Sequence, residues 1–599
     1  MNRTDFPSRA VCPVLAVVFA AGLVHLGLRL KEVQVDEAAD YGYASSRQSL
    51  RRVRVGGARG RILDRRGAVL AANRTVLSII CRPGVFQQRT WEGTAGEIER
   101  AVAAVAAALG RPSPLSPRTI RRHVNQSLAM PLTVWRDIGE RELAVFCERE
   151  REFPGFALEE SEERVYPNGA LAAHLLGYVG RDSAARDAGD EKFNFVSAET
   201  CGRSGVEHYY DGFLRGVSGE KKLLVDARGF AIREWTVVEP RRGPDLRLTI
   251  DLDVQREAER QLAGLCGACV VLNPQNGEVL ALASAPGFDP NDFVPSLSPD
   301  LYARLKDDPA KPLLNRAAGG SYAPGSTFKP VTALAGLRAG YPADETYCCD
   351  GGFSLGEFRL HCASRWGHGE LDVRQALMKS CNPFFCNLAM DIGTNALVRG
   401  ARAFGLGART GLDFGVDAAG VVPDGGWKMR RYGEPWYPGD LAQMSIGQGM
   451  LLASPLQMAR VAGAVGTGWL VTPRLKADLP VERQKLPFSD EHLAVVREGL
   501  RRVVAGDGEM RGTGWRGGEG VPVAVSGKTG TAEVGVGARR RKNTWFIAYA
   551  PSEAPRVALA LVVENGESGG GTAAPRAAAI LRRVFASSTS HPSSLIPKP

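Results

Sequence analysis

The chain has 599 residues, 44% of them hydrophobic and 23% charged, and a formal net charge of +10. That length predicts two or three domains, and so ordinary a composition excludes bulk disorder. The arginines fall in short groups (Arg51-Arg52, Arg65-Arg66, Arg121-Arg122, Arg539 to Arg541) with no aromatic-interleaved module, so the positive charge reads as a surface property suited to anionic lipid, and no nucleic-acid partner is expected.

Ala10 to Leu28 is apolar except for His25, and nineteen helical residues span about 28 Å, close to the thickness of a bilayer core. Residues 10–30 therefore predict one membrane anchor. A cleaved signal peptide is the alternative, but the run is longer than a usual signal core and no clear A-x-A site precedes the acidic Glu32 to Asp40 segment. Basic residues flank both ends (Arg3 and Arg9; Arg29 and Lys31), so charge alone leaves the orientation open.

Next, Arg59-Gly60-Arg61-Ile62-Leu63-Asp64-Arg65-Arg66-Gly67-Ala68-Val69-Leu70-Ala71 reads as a strand, a tight turn and a second strand. Thr94 to Gly110 and Asp137 to Glu150 have helical periodicity. The runs Val165-Tyr166-Pro167, His174 to Gly180 and Gly202 to Gly216 carry charged and small residues for which a structural role is the default, and Ser183 to Thr200 fits no pattern. Beyond them, Leu246 to Asp251 reads as a strand and Val254 to Leu262 as a helix. Cys269 to Leu272 and Glu278 to Ala283 read as a hairpin around Asn276-Gly277. Asn543 to Pro551 and Val557 to Glu564 are two further apolar strands, followed by a helix over Pro575 to Phe585 and a Ser/Pro-rich tail, 587–599, expected to be disordered. Strands at both ends with helices between predict an α+β domain whose sheet is assembled from distant parts of the chain.

Inside this domain lies Tyr322-Ala323-Pro324-Gly325-Ser326-Thr327-Phe328-Lys329-Pro330. Pro324-Gly325 is expected to end an extended approach, and Val331 to Leu337 continues as helix, so Ser326 and Lys329 share one turn at i, i+3. A lysine in a dry site near other cations loses basicity and can take the proton of a serine nucleophile, while the helix start offers free N–H groups to an oxyanion. A bare Ser-x-x-Lys is more often an exposed cap beside a solvated lysine. Here it is followed by Ser380-Cys381-Asn382 and by Ser526-Gly527-Lys528-Thr529-Gly530-Thr531-Ala532-Glu533, where the Val521 to Thr531 stretch is expected to form one strand.

The order Ser-x-x-Lys, Ser-x-Asn, Lys-Thr-Gly resembles penicillin-binding proteins and β-lactamases. The chain as a whole resembles class B penicillin-binding proteins, and most of all their elongation type, the penicillin-binding protein two group. That resemblance implies a cytoplasmic tail at 1–9, the anchor at 10–30 and a pedestal domain at 31–245 with a helical head at about 90–155. It also implies a transpeptidase domain of serine β-lactamase-like fold at 246–586, outside the cytoplasm in the periplasm. It implies a peptidoglycan D,D-transpeptidase in which Ser326 is acylated with Lys329 as base, Ser380 relays a proton, and Asn382 holds Lys329 and the substrate backbone. Lys528, Thr529 and Thr531 receive a terminal carboxylate, Gly527 and Gly530 mark close substrate approach, and the N–H groups of Ser326 and Thr531 form the oxyanion hole. β-Lactams enter the same site. With no polymerase domain of its own, such a chain is expected to partner a SEDS-family glycan polymerase and other membrane proteins of the elongation complex. Gly202 to Gly216, Tyr347 to His368, and Ile446-Gly447-Gln448-Gly449 leading to Ser454-Pro455-Leu456-Gln457 favour elongation over the division type. A β-lactamase, and a β-lactam sensor or scaffold without turnover, are the rival readings.

The eleven cysteines add a further expectation. Cys266-Gly267-Ala268-Cys269 suits a disulfide or two buried thiols. Cys349, Cys362, His368 and Cys381, in the pattern C-x12-C-x5-H-x12-C, supply three sulfurs and an imidazole, a complete set for structural zinc. Cys348 or Asp350 can replace Cys349 as first ligand, and a Cys362–Cys381 disulfide is the competing reading. The resemblance to elongation-type enzymes implies the metal, with no cofactor required for the chemistry itself.

Overall fold

The computed structural model describes residues 11–38, 49–181, 193–197, 200–356, 358–535 and 541–589. The tail at 1–9, the first anchor residue, most of 183–200, Arg539 and Arg540, and the chain end from 590 lie outside the described residues. Val11–Lys31 is helical, and a span over Pro13–Asp36 is long and apolar enough to cross a membrane, with its side chains exposed.

Among the described residues, two larger sheets build the amino-terminal region, beside a two-stranded ribbon of Val179–Arg181 and Thr200–Gly202. One has the order Ala231–Val238, Gly219–Val225, Leu50–Val55, Phe195–Val196. The other is organised on the long strand Val69–Cys81, which pairs with Ile62–Leu63, Leu132–Trp135 and Phe156–Val165. The predicted hairpin at 59–71 is the start of this second sheet. Its far end carries three helices, Trp91–Leu109, Pro117–Gln126 and Glu140–Glu148, whose apolar faces bury Ile98, Val102, Val105, Ile120, Val124 and Phe146 against Ile79 and Trp135. Thr90 and Ser116 cap the first two by accepting backbone N–H bonds, and Gly110 closes the first with a left-handed φ. Periodicity marks two of these helices. It misses Pro117–Gln126, which is short and strongly charged, and the strand Phe156–Val165, whose sequence FALEESEERV hides its alternation under glutamates.

A buried ion cluster ties the loop at Arg59 and the strand Phe156–Val165 to the short helices Gly205–Tyr209 and Asp211–Leu214. Arg59 pairs with Glu207 at 2.7 Å and with Asp211 at 2.6 Å, and Arg164 meets the other oxygen of Glu207 at 2.6 Å. The charged residues of the 202–216 stretch thus act in packing.

The expected strand over Leu246 to Asp251 is reduced to Leu246–Arg247, and it pairs in parallel with Ile62–Leu63, not with the carboxy-terminal sheet. The following residues step across: Leu248 donates to Leu63 O, and the Thr249 hydroxyl donates to Val279 O. Two ion pairs, Arg66–Asp251 at 2.6 Å and Arg65–Glu278 at 3.3 Å, reinforce the crossing.

The carboxy-terminal sheet has five antiparallel strands in the order Val279–Ala285, Gly267–Leu272, Val557–Glu564, Arg541–Ala550, Ser526–Val534. Side chains alternate between its faces. Cys269 and Val271 join the layer under helices Leu252–Gln261 and Ala574–Thr589, while Ala268 and Val270 join the larger core with helices Lys329–Arg338, Asn382–Ala403 and Pro455–Thr467. The expected strand from Val521 begins only at Ser526 and runs on to Val534, and the last helix passes Phe585 into the segment expected to be tail. Ser526–Val534 is an edge strand, with no strand paired on its outer side among the described residues.

Candidate active site and metal centre

The nucleophile turn differs in one respect from expectation. Pro324 is already helical in φ and ψ, Gly325–Phe328 forms a tight 3-10 turn, and the α-helix starts at Lys329 with Pro330 in its first turn. Glycine contact causes the bend. Gly325 takes φ +56° and donates to Gly447 O at 2.8 Å, and a Cβ on Gly447, itself at φ +76°, would stand 2.1 Å from Gly325 O. Thr327 donates to Pro324 O at 2.7 Å, Trp545 Nε1 to Ala323 O at 3.0 Å, and Thr332 to Ser445 O at 2.7 Å. Ser326 is left half-buried at the surface of this braced turn, with Lys329 fully buried behind it.

Lys329 Nζ donates to Ser380 O at 2.6 Å, to Asn382 Oδ1 at 2.7 Å and to Ser380 Oγ at 3.3 Å. Lys528 Nζ reaches the same Ser380 hydroxyl at 2.9 Å and Thr529 O at 3.0 Å. One hydroxyl therefore stands between two buried amines. Burial lowers Lys329 to about 8, opposed by the nearby thiols of Cys381, Cys386 and Cys362. Burial, and then the charge of Lys329, holds Lys528 well below the ordinary lysine range. Among the described residues, Lys329 Nζ has no hydrogen bond to Ser326 Oγ, and such bonds often form only once substrate is in place.

Ser380 meets both lysines because it closes helix Val373–Lys379 in a left-handed conformation, φ +55° and ψ +40°, with Cys381 capping the next helix at Asn382. A non-glycine residue held there stores on the order of 1–3 kcal/mol of strain, as functional positions often do. The Asn382 amide is fixed at both ends: its oxygen accepts from Lys329 and its nitrogen donates to His361 O at 3.0 Å.

The edge strand forms the other wall. Thr529 is buried and its hydroxyl donates to Thr513 Oγ1 at 3.1 Å, while the Thr531 hydroxyl accepts from Gly569 N at 3.2 Å. The protein's own packing already requires glycine at both positions of this strand. A Cβ on Gly530 would lie 2.8 Å from Thr327 Cγ2 and 3.0 Å from Pro324 O, and one on Gly527 would lie 2.7 Å from Ile547 O. Gly530 lets the strand press against the nucleophile turn. Thr513, Trp545 and Gly569 were not legible as site residues, since none stands in a motif of its own, and Ile446-Gly447-Gln448-Gly449 was noted without placing Gly447 against the turn at Ser326.

The model of the penicillin binding protein transpeptidase domain matches residues 267–582, more than half of the chain. The chain belongs to the penicillin-binding protein transpeptidase family. A penicillin-binding protein dimerisation domain matches residues 54–248. The peptidoglycan D,D-transpeptidase MrdA of Escherichia coli (strain K12) is 31% identical over 611 aligned positions, covering 97% of this chain and 94% of that protein. The complex between penicillin-binding protein PBP2 and MreC from Helicobacter pylori contains a similar structure, with TM-score 0.77 and 28% identity, covering 90% of this chain and 100% of that one. A solved peptidoglycan synthase complex, described as coordinating polymerization and crosslinking, gives TM-score 0.72 and 30% identity over 97% of this chain and 99% of that one.

Behind the Ser380-Cys381-Asn382 link, the donor atoms of Cys349, Cys362, His368 and Cys381 all lie within 4.8 Å of one another. His368 Nδ1 is 3.3 Å from Cys362 Sγ and 3.8 Å from Cys349 Sγ. Zn–S and Zn–N bonds of about 2.3 and 2.0–2.1 Å in a tetrahedron place donor atoms roughly 3.3–3.8 Å apart, so this set fits the ion with little contraction. A hydrogen bond between the Cys362 and Cys381 thiols draws Cys362 down and pushes Cys381 up. Successive residues of the Tyr347–Cys349 strand face opposite ways, so Cys349 turns inward while Cys348 is exposed, and Asp350 accepts from Gly352 N. Cys362 and Cys381 are free thiols, as are Cys266 and Cys269, so neither suggested disulfide is present.

Proposed function

We propose that this chain is an elongation-type peptidoglycan D,D-transpeptidase, a serine acyltransferase that cross-links stem peptides and is a target of β-lactams. The observation that carries it is the Ser380 hydroxyl shared by two buried, weakly basic lysines beside a braced serine. In the first step Ser326 Oγ attacks the carbonyl between the two terminal D-alanines, and neutral Lys329 takes its proton. The N–H groups of Ser326 and Thr531, across the Gly530 contact, receive the oxyanion. The C–N bond breaks, and the leaving D-alanine amine takes a proton from Lys329 through Ser380. An amine of a second stem peptide then attacks the ester, returns the serine, and leaves a new amide as cross-link. Lys528 and the Thr529 and Thr531 hydroxyls hold the donor's terminal carboxylate, and the free strand edge pairs with its backbone.

Similarity to MrdA over nearly the whole length supports the elongation role over the division role. The anchor and the family support a single-pass membrane protein with its enzymatic part in the periplasm. Similarity to PBP2 in complex with MreC, and to a peptidoglycan synthase complex, supports membership of an elongation complex with a SEDS-family polymerase. Cys349, Cys362, His368 and Cys381 would hold one structural zinc, which braces the back of the Ser380 link and leaves no open position for water. The test is turnover. The purified chain, given a pentapeptide ending in D-Ala-D-Ala and an amine-bearing acceptor peptide, should release D-alanine and form the cross-linked dimer. Stable penicillin binding without either product would support a sensor instead, and rapid penicillin release a β-lactamase.

A further inference from the structure

One carboxylate ties the approach to Ser326 to the loop that packs on the edge strand. Tyr322, upstream of Ser326 in the nucleophile stretch, donates its phenol to Glu564 Oε1 at 2.9 Å. Arg316 donates Nε to the same oxygen at 2.8 Å, and its other two nitrogens donate to Lys311 O at 3.1 Å and Ala310 O at 2.7 Å. Arg316 is buried and bonded at every nitrogen, so it holds the carboxylate by a charge-assisted bond of set direction. Tyr322 is placed from its other sides as well. Its backbone exchanges two hydrogen bonds of 2.9 Å with Ala453, and its ring meets Trp545 edge to face at 6.0 Å.

Glu564 closes the strand Val557–Glu564, and the chain after it turns onto the edge strand Ser526–Val534. Asn565 makes the turn with φ +58°, and a Cβ on Gly569 would stand 2.5 Å from Gly530 O. Gly569 N then donates to Thr531 Oγ1 at 3.2 Å. The nucleophile turn touches the same strand, since a Cβ on Gly325 would lie 3.2 Å from both Thr531 C and Thr531 O. Backbone pairing fixes each side separately: Tyr322 to Ala453, and Ser526–Val534 to Arg541–Ala550. The Tyr322–Glu564 bond spans the two.

We infer that Glu564 is a positioning residue for the reaction: held by Arg316, it ties Tyr322 to the loop carrying Gly569 and so sets the separation of the Ser326 and Thr531 N–H groups that receive the oxyanion. This rests on the acyl-transfer reading above. The test uses the full chain in detergent. Stopped flow with benzylpenicillin gives the non-covalent dissociation constant and the acylation rate constant separately. Phenylboronic acid, whose adduct with a serine is tetrahedral, reports binding of the transition-state shape. Tyr322→Phe keeps the ring against Trp545 and removes the bond to Glu564. It should slow acylation about tenfold and weaken phenylboronic acid by about the same factor, with the dissociation constant within about twofold and the thermal midpoint near that of wild type. Glu564→Gln should slow acylation too, and adding it to Tyr322→Phe should give less than the product of the two effects, because both act on one link. Acylation of Tyr322→Phe within about twofold of wild type would overturn the inference. So would fully multiplicative effects, or a joint loss of thermal midpoint and non-covalent penicillin binding, which makes the link a part of general packing. A wild-type chain that penicillin never acylates would instead remove the acyl-transfer reading, and this inference with it.

Discussion

In the proposed mechanism Lys329 can act as a base only in so far as burial strips its proton. Its ordinary value is 10.5, and burial brings it to about 8. Because Ser326 needs the neutral amine, the rate constant of penicillin acylation should rise with pH through about 8 and level off above it. Only about a tenth of the sites are in the active form at neutral pH, and the rate should fall tenfold per unit below that. Stopped-flow acylation across this range checks the sign, and a rate that is flat or falls with pH would remove Lys329 as base. Ser326 and Lys329 were legible as a pair because one helical turn sets their spacing. What Lys329 touches was only partly so: Ser380 and Asn382 come from more than fifty residues away, and their meeting depends on a left-handed Ser380 that propensity disfavours.

Among the elements, the helix start at Ser326 is shaped by what packs on it. Gly447→Ala forces a Cβ against Gly325 O in a left-handed conformation. It should cost about 2 kcal/mol or more of stability and slow acylation by shifting the turn, read as thermal midpoint and penicillin rate. A variant of native stability and rate would show that the turn does not need this contact. The metal set predicts that protein purified without added zinc carries about one equivalent, lost in His368→Ala together with thermal stability and penicillin binding. Metal-free protein of full activity would end that proposal. Strands rich in β-branched and small apolar residues, such as Val279–Ala285 and Val557–Glu564, were readable from composition. The strand expected over Leu246 to Asp251 ends at Arg247 because a strand's partner is not written in its own residues, and the short Ile62–Leu63 strand pairs with only its first two. Cys349, Cys362, His368 and Cys381 were readable as a donor set, and which of Cys348 and Cys349 faces the other donors needed the alternation of a strand only three residues long.

At the scale of the molecule, the amino-terminal region is joined to the sheet domain through residues 246–249 and the ion pairs Arg66–Asp251 and Arg65–Glu278, while buried charge holds the amino-terminal region itself together. Glu207 neutralises Arg59 and Arg164 at once. Glu207→Gln leaves two buried guanidinium groups short of a counter-charge and should cost about 3–5 kcal/mol. Calorimetry should then show a lower thermal midpoint, and a variant as stable as wild type would mean that Asp211 and the remaining hydrogen bonds suffice. The proposed function places the chemistry of the whole molecule on one serine. Intact mass analysis of the full chain with benzylpenicillin should give a single penicilloyl adduct, located by proteolysis to the peptide containing Ser326. It should be absent from a folded Ser326→Ala protein, and an adduct that persists in that variant, or maps to another residue, would contradict the assignment of Ser326 as nucleophile.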